Sequence, residues 1–243
     1  MNHHRNLKPL FVLAVLLPAC ALASRQGELD GIDMDKTLCM ELSLPEERYS
    51  QTQQSNVARR IVEQLSALPR VTAAAAIDVL PTSLNCQTRT LTTESASTPQ
   101  SAAGIRYNVI TPDYFRAVRI PLLKGRSFTE SDTSDSPPVT MISEALARQI
   151  FPSEDPIGKR ISLVNGKDSP KWLVVVGVAG DVKDSGGTSR SGIYVAYSQH
   201  PLSTVSLLLR ASSDPKDLID IVEREIRLID PQITVTNART FSK

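Results

Sequence analysis

Three stretches of the sequence decide the fold: NVITPDYFRAVRIPLLKGRSF at residues 108–128, FPSEDPIGKR at 151–160 and VGVAGD at 176–181. Gly125 and Gly158 stand in turns, where a positive φ angle costs glycine little. None of the three stretches contains a catalytic constellation. They therefore predict turns and strands that define a fold rather than a reaction centre.

The other side chains of these turns favour the same interpretation. Phe128 and Ile157 are expected to insert into the core and hold each turn in place. Arg126, Lys159 and Arg160 could bind an anion or an acidic partner. Isolated bases on a surface usually do neither, so the structural role is preferred.

The composition is that of a globular protein, with 243 residues, 41% hydrophobic and 22% charged. The formal net charge of +1 and the 5% of aromatic residues give no electrostatic footprint for nucleic acid. Trp172 lies in an apolar run and is predicted to be a core residue rather than a base-stacking platform. No nucleic-acid partner is expected.

Residues 1–24 predict a targeting segment. Arg5 and Lys8 precede an apolar run, residues 10–17, that has signal-peptide length and is short for a membrane span of about 20 residues. Cleavage before Ser24, lipidation of Cys20 and an uncleaved anchor are all compatible with this segment. Each of them places the rest of the chain outside the cytoplasm, because the basic residues stay on the inner side.

Cysteine and histidine are too sparse for a metal site. Beyond the leader stand only Cys39, Cys86 and His200, which do not make a zinc site. In an oxidising compartment Cys39 and Cys86 could form a disulfide, or each could be a separate buried thiol, and the sequence leaves both alternatives open. No metal and no cofactor are expected.

The first part of the exported chain predicts a β-α-β unit. Residues 38–44 alternate apolar and polar side chains, which is typical of a half-buried strand. Residues 50–68 carry apolar positions at helical spacing and end before Pro69. Residues 71–80 are apolar and close at Pro81, which predicts a second strand.

The C-terminal part repeats this order. Residues 205–209 predict a strand, and Asp214 followed by Pro215 predicts the start of a helix that runs to Ile229. Residues 233–235 predict the closing strand. Two such units naturally share one sheet, so we expect an α+β fold with a split, ferredoxin-like β-α-β layer.

The segment between these units is too long for a loop and predicts a second lobe. Residues 87–103 are polar, and part of them is expected to form a mobile surface excursion. Thr111 and Ser143 are expected to cap two short helices. Further strands are predicted at 105–110, 160–163, 172–178 and 193–197. The predicted division is a leader at 1–24, a discontinuous lobe at 25–82 and 203–240, and an inserted lobe at 83–202.

No arrangement of residues singles out an enzyme. A Ser-His-Asp triad would depend on His200, and neither a nucleophile elbow nor a zinc-protease helix motif occurs. The acid pairs Asp132 with Asp135 and Asp181 with Asp184 could serve a glycosidase, but in polar turns they are more often caps. No catalytic, cofactor-binding or metal-binding residue is predicted.

The order of motifs resembles the periplasmic core domain of MacB-type permeases, part of the FtsX-like permease superfamily. The resemblance runs from about Gly31 to Arg239 and includes the three opening stretches. Arg70 stands where that family tends to have glycine. Further matching positions are Leu44-Pro45, Tyr49, Leu68-Pro69, Val71, Leu80-Pro81, Val195, Arg210, Asp214-Pro215 and Ile229-Asp230-Pro231.

This resemblance implies a porter-like lobe with an inserted second lobe, set between transmembrane helices of an ABC-type permease. It implies a non-catalytic module that relays ATPase-driven motion and engages substrates or a partner in export. The short leader and the C-terminal end at Lys243 lead us to expect a stand-alone or truncated piece. Such a piece would lie on the periplasmic side of the membrane, anchored or released.

The partners implied by the resemblance are separately encoded membrane permease and ATPase subunits, and a periplasmic adaptor. An exported binding lipoprotein unrelated to transport and a secreted enzyme with an unrecognised site are the alternatives. A binding lipoprotein requires an apolar cleft between lobes and a modified Cys20, whereas an enzyme requires a clustered polar pocket.

Overall fold

The computed structural model describes residues 30–83, 86–94, 101–164, 171–184 and 187–241. The predicted leader at residues 1–24, with its cleavage and lipidation alternatives, lies outside the described residues. The described strands and helices are, in chain order, β1 (Thr37–Ser43), α1 (Gln51–Ser66), β2 (Val71–Ile77), β3 (Thr88–Thr93), β4 (Ser101–Ile110), α2 (Tyr114–Val118), β5 (Leu122–Gly125), β6 (Val139–Ser143), α3 (Glu144–Ile150), β7 (Arg160–Val164), β8 (Lys171–Ala179), β9 (Val182–Lys183), β10 (Ser189–Arg190), β11 (Gly192–Ala196), β12 (Thr204–Ala211), α4 (Ile219–Ile229) and β13 (Thr234–Phe241).

Four strands from the two ends of the chain form an antiparallel layer in the order β13-β1-β12-β2. Side chains on alternate residues point to opposite faces of a strand. Leu38, Met40 and Leu42 accordingly share a core with α1 and α4, while Cys39 joins the core that contains α2. Helices thus cover both faces of this layer.

The middle of the chain builds a closed ring of six strands. The ring runs β11-β6-β8-β7-β3-β4, and a pairing between β4 and β11 closes it. The pairs β6 with β8 and β4 with β11 are parallel, and the other four are antiparallel. The ring is therefore a mixed, barrel-like sheet, and β5 adds to it beside β8.

The layer and the ring meet at the ends of β2 and β4. The register there pairs Ile77 with Ile110, and both side chains are fully buried. Asp78 donates its backbone N–H to the Val109 carbonyl at 3.0 Å and accepts from the Val109 N–H through Oδ1, also at 3.0 Å. Thr111 N–H donates to the Ala76 carbonyl at 3.0 Å. One continuous apolar core then runs from the layer into the ring.

The α+β class predicted from the sequence is confirmed, and the helix starts follow local chemistry. Ser50 and Gln53 form a capping box at the start of α1. Ser143 caps α3 through the Leu146 N–H at 3.2 Å, and Asp214 accepts from the Lys216 N–H at 3.0 Å. The proposed boundaries at 83 and 202 stay a prediction.

Residues 88–93 of the polar segment form β3, whose Leu91 is buried inside the sheet, while residues 95–100 lie outside the described residues, so the mobile excursion stays a prediction. Three other local predictions are wrong. Thr111 caps no helix, because its hydroxyl accepts from the Ala76 N–H at 2.8 Å. Ile157 is 36% exposed rather than inserted into the core, whereas Phe128 is buried as predicted. Trp172 is half-buried, with the Arg160 guanidinium 5.5 Å above its ring.

Candidate functional site

A cleft of about 400 Å³ lies between α1 and three segments of the middle part of the chain. These segments are residues 111–113, 129–130 and 197–198. The cleft therefore crosses the boundary predicted between the two lobes. We call it the α1 cleft.

The α1 wall is formed by residues at helical spacing. Ser55, Arg59, Glu63 and Ser66 recur every three or four positions and so share one flank of the helix. The neighbouring flank, with the fully buried Ile61, packs into the core. Core packing of one flank thus fixes the direction in which the other faces the cleft.

The opposite wall begins at the turn before α2. Thr111 bonds to Ala76 through both its backbone and its hydroxyl, so this turn is fastened to β2. Pro112 follows, and Asp113 accepts a hydrogen bond from Arg116 at 2.9 Å. The turn is consequently a rigid wall rather than a helix cap.

A second segment of this wall is held by an ion pair whose carboxylate is buried. Asp132, 4% exposed, accepts from Arg126 at 2.7 and 2.8 Å and from the Thr129 N–H at 2.8 Å. Although burial acts to raise the pKa of Asp132, these hydrogen bonds and the Arg126 charge lower it. Ser198 also bonds to the Asp132 carbonyl. These contacts position Glu130 at the cleft.

The floor of the cleft includes an aromatic ring. Tyr197 is 3% exposed, and its hydroxyl donates to the Leu202 carbonyl at 2.7 Å. Burial raises the pKa of Tyr197 to about 12, so the phenol is neutral. The ring therefore offers an apolar contact, because its polar end is already bonded.

The charge of the cleft is negative. Among the described residues three carboxylates line it, from Glu63, Asp113 and Glu130, against the guanidinium of Arg59, and Asp113 is paired with Arg116. Arg59 bonds to Glu63 at 2.7 Å, and its Nε lies 3.9 Å from Glu130 Oε2. Burial first, and then the like charges of Glu63 and Asp113, raise the pKa of Glu130 against the opposing effect of Arg59.

The bases of the opening stretches are paired within the chain. Arg126 pairs with Asp132, and Lys159 forms an ion pair with Glu154. Arg160 bonds to Glu94 at 2.8 Å. The structure thus agrees with the structural role preferred for them. Gly125 and Gly158 do have positive φ, of 70° and 81°.

Two of the candidate acids are engaged in contacts that hold turns and a helix start. Asp132 lies in its ion pair, and Asp181 accepts from the Ala145 N–H at 2.6 Å and from Arg148 at 2.7 Å, at the start of α3. His200 is half-buried, and burial together with the Lys171 charge lowers its pKa. Within the described ranges no group of three or more His, Cys, Asp or Glu residues could hold a metal ion.

Both cysteines outside the leader are free thiols in the structure. Cys39 is buried, and burial raises the pKa of its thiol to about 12, while Cys86 is half-buried. Of the two alternatives for this pair, the structure shows separate thiols. A protonated, buried Cys39 is a packing residue rather than a nucleophile.

Sequence reasoning did not find the α1 cleft, because its lining residues come from four separate segments. The helical spacing of Ser55, Arg59 and Glu63 was readable, but it is also the pattern of a solvated helix face. No pattern in the sequence indicated that residues 129–130 and 197–198 would lie opposite that face.

Comparisons with known proteins find the same fold. The family model described as MacB-like periplasmic core domain matches residues 33–227. The periplasmic region of MacB from Actinobacillus actinomycetemcomitans superposes with a TM-score of 0.54 at 18% identity, over 89% of this chain and 92% of that one. A domain of a putative permease protein from Porphyromonas gingivalis superposes with a TM-score of 0.53 at 14% identity, over 86% and 92% of the two chains.

A third solved structure superposes less closely. It is the extracellular domain of the noncanonic ABC-type transporter YknZ from Gram-positive bacteria, with 17% identity, a TM-score of 0.48 and coverage of 82% of this chain and 100% of that one. No curated protein sequence matches this chain. In the described part of the chain, no helix has the length and apolar character needed to cross a membrane.

Proposed function

The chain belongs to the MacB-like periplasmic core domain family, and from this membership we propose that it is a non-catalytic module of an ABC-type export system. The observation that carries the proposal is the extent of the family match. Residues 33–227 include all six strands of the closed ring and three of the four strands of the layer. The domain type is periplasmic or extracellular, and its membership of ABC permease systems implies membrane and ATPase partners.

Motion relay is the finer part of the proposal. We assign residues 25–82 and 203–240 to a porter-like lobe and residues 83–202 to an inserted lobe, which meet at Ile77 and Ile110. The α1 cleft lies across the same boundary. A change in the angle between the lobes would therefore alter the cleft, which supports coupling between movement and engagement of a substrate or partner.

Partner capture tests this function. A tagged full chain is expressed in its own host, cross-linked and purified from membranes, and the captured proteins are identified by mass spectrometry. We expect a membrane-spanning permease and an ABC ATPase, with an adaptor as a further product. That the permease and the ATPase are encoded separately from this chain stays a prediction. Capture without either subunit would contradict the proposal.

An exported binding protein is the second candidate, because the α1 cleft lies between the predicted lobes, although its wall carries charged as well as apolar residues. The two candidates differ in partners and in the mature N-terminus. Mass spectrometry that finds lipidated Cys20, together with no captured permease, would favour the binding lipoprotein. No specific contact favours the third alternative, a secreted enzyme.

A further inference from the structure

A carboxyl group takes part in the joint between the antiparallel layer and the closed ring. β2 pairs with β12 over most of its length, but its register with β4 holds one pair, Ile77 with Ile110. Beside this pair, Asp78 donates its backbone N–H to the Val109 carbonyl and accepts the Val109 N–H through Oδ1, each at 3.0 Å. We call this joint the β2–β4 junction.

Only half of the Asp78 carboxyl is satisfied by hydrogen bonds. Oδ1 accepts from Val109, whereas Oδ2 is buried without a hydrogen-bond partner among the described residues. A buried polar atom is normally bonded, and leaving it unbonded costs more when the group is charged. The charged carboxylate is therefore unfavourable in the closed junction, and opening the junction would let water reach Oδ2.

The groups around Asp78 do not neutralise it. β4 contributes Arg106 and Tyr107, and α2 contributes Tyr114. Burial raises the pKa of Tyr107 to about 12 and that of Tyr114 well above its ordinary value, so both phenols are neutral at physiological pH. Arg106 donates to the Ser83 carbonyl at 3.4 Å, and its charge acts on Asp78 from there.

Protonation of Asp78 and closure of the junction therefore favour each other. Burial raises the pKa of Asp78 to about 6, against the lowering effects of the Val109 hydrogen bond and the Arg106 charge. In an open, hydrated junction the carboxyl would have its ordinary pKa of about 4. Closure is then most favoured in acid, and this preference is lost as the pH rises from about 4 to about 6.

We propose that Asp78 is a proton-controlled latch: its neutral carboxyl keeps the β2–β4 junction closed, and loss of the proton to water lets the layer and the ring separate there. Thr111 is bonded to Ala76 of β2 and lines the α1 cleft, so local opening would move one wall of the cleft. The shape of the cleft would then depend on pH. The latch does not depend on the proposed role in a permease, so either idea can fail without the other.

Hydrogen exchange of the full chain, resolved by residue with NMR, tests the latch. The Val109 and Thr111 amides report on the junction, and the Leu208 amide of β12 reports on the layer. After correction for intrinsic exchange rates, junction opening should increase at least about tenfold from about pH 4 to about pH 7, because a pKa difference of about two units allows up to about a hundredfold. Both junction amides should exchange faster than Leu208 and depend less on urea, because a local opening exposes little surface.

Two variants and a titration assign the effect to Asp78. Asp78→Asn keeps an oxygen acceptor for the Val109 N–H but cannot ionise, so the increase should vanish. Asp220→Asn, at an exposed site on α4, should keep it. NMR titration of the Asp78 carboxyl in the native chain is the independent measurement if Asp78→Asn does not fold, and its midpoint should lie near the pH at which junction opening levels off.

Three results would overturn the proposal. The first is an undiminished pH effect in Asp78→Asn. The second is an Asp78 carboxyl that titrates near its ordinary pKa of about 4. The third is exchange of Val109 and Thr111 at the same rate and with the same urea dependence as Leu208, since the junction would then open only when the whole chain unfolds.

Discussion

Arg126 and Asp132 form a two-bond ion pair beside the α1 cleft, with N–O distances of 2.7 and 2.8 Å. The Asp132 side chain is 6% exposed and that of Arg126 is 47% exposed. The carboxylate is thus taken out of water while its partner is half solvated. Asp132 is therefore the residue of the pair whose substitution should affect stability more.

Asp132→Asn should lower the free energy of unfolding by about 1 to 3 kcal/mol at neutral pH, because Arg126 then loses a charged acceptor. The lowered pKa of Asp132 places its stabilising contribution above the ordinary carboxyl pKa of about 4, and that contribution is lost as pH falls through the lowered value. Urea denaturation at neutral and acidic pH measures both effects.

The matched control is Asp155→Asn, at an exposed carboxylate that lies 3.6 Å from the Lys124 ammonium group. An exposed pair of this kind contributes about 0 to 1 kcal/mol. Equal losses of unfolding free energy in the two variants would show that burial of the Asp132 carboxylate does not increase the contribution of its ion pair.

Asp78 should make the protein less stable as the pH rises. Burial raises its pKa to about 6, against the lowering effects of its hydrogen bond from Val109 and the charge of Arg106, and its Oδ2 has no partner in the structure. The folded state then binds the proton more tightly than the unfolded state. Stability should therefore fall between about pH 4 and pH 6 and stay low above that range.

Asp78→Asn removes this titration while keeping an oxygen acceptor for the Val109 N–H. At neutral pH its free energy of unfolding should exceed that of the native chain by about 1 to 2 kcal/mol, and the difference should vanish in acid. Asp220→Asn on α4 is the exposed control. A constant difference between native and Asp78→Asn at all pH values would refute the assignment.

Arg210→Lys should destabilise the fold by about 2 to 4 kcal/mol, because a buried charge would lose acceptors that lysine cannot reach together. Arg210 is 6% exposed and donates to the Ala117 carbonyl at 2.7 Å, the Asp35 carbonyl at 2.8 Å and the Asp33 carbonyl. It thereby joins β12 to α2 and to the segment before β1. Arg224→Lys, at an exposed site, should change the chemical denaturation midpoint little; a similarly small effect at Arg210 would contradict this role.

Gly125→Ala should cost more than Gly158→Ala, although both glycines have positive φ. A Cβ on Gly125 would lie 2.1 Å from the Val176 carbonyl oxygen, whereas a Cβ on Gly158 has nothing within 4 Å. Gly158→Ala should therefore lose only the conformational cost of about 1 to 2 kcal/mol, and Gly125→Ala clearly more. Thermal melts compare the two directly, and equal losses would show that β5 shifts to admit the methyl group.

The local parts of the fold were readable from the sequence, because caps and helical spacing are encoded by neighbouring residues. The capping box at Ser50 and the turn at Asp214 are examples. β3 was missed because its exposed Thr and Arg positions dilute the period of two, and Leu91 is its one aliphatic residue. It pairs on one side with the following strand β4 and on the other with β7, about 70 positions away in sequence.

The closed ring and the α1 cleft could not be predicted from the sequence, because their contacts join residues that are distant in the chain. The parallel pairs β4 with β11 and β6 with β8 join residues about 30 to 90 positions apart, and no local pattern specifies such partners. Glu130 has an unremarkable sequence context beside Ser131. Its placement opposite Arg59 follows from the Arg126–Asp132 pair, which only the folded chain assembles.

Cross-linking and capture of the tagged full chain from host membranes is the most direct test of the central claim, that this chain serves an ABC-type export system. The account predicts that mass spectrometry recovers a membrane-spanning permease and an ABC ATPase, both absent from an untagged control. Recovery of the folded chain with neither subunit, at the same cross-linking yield, would contradict it.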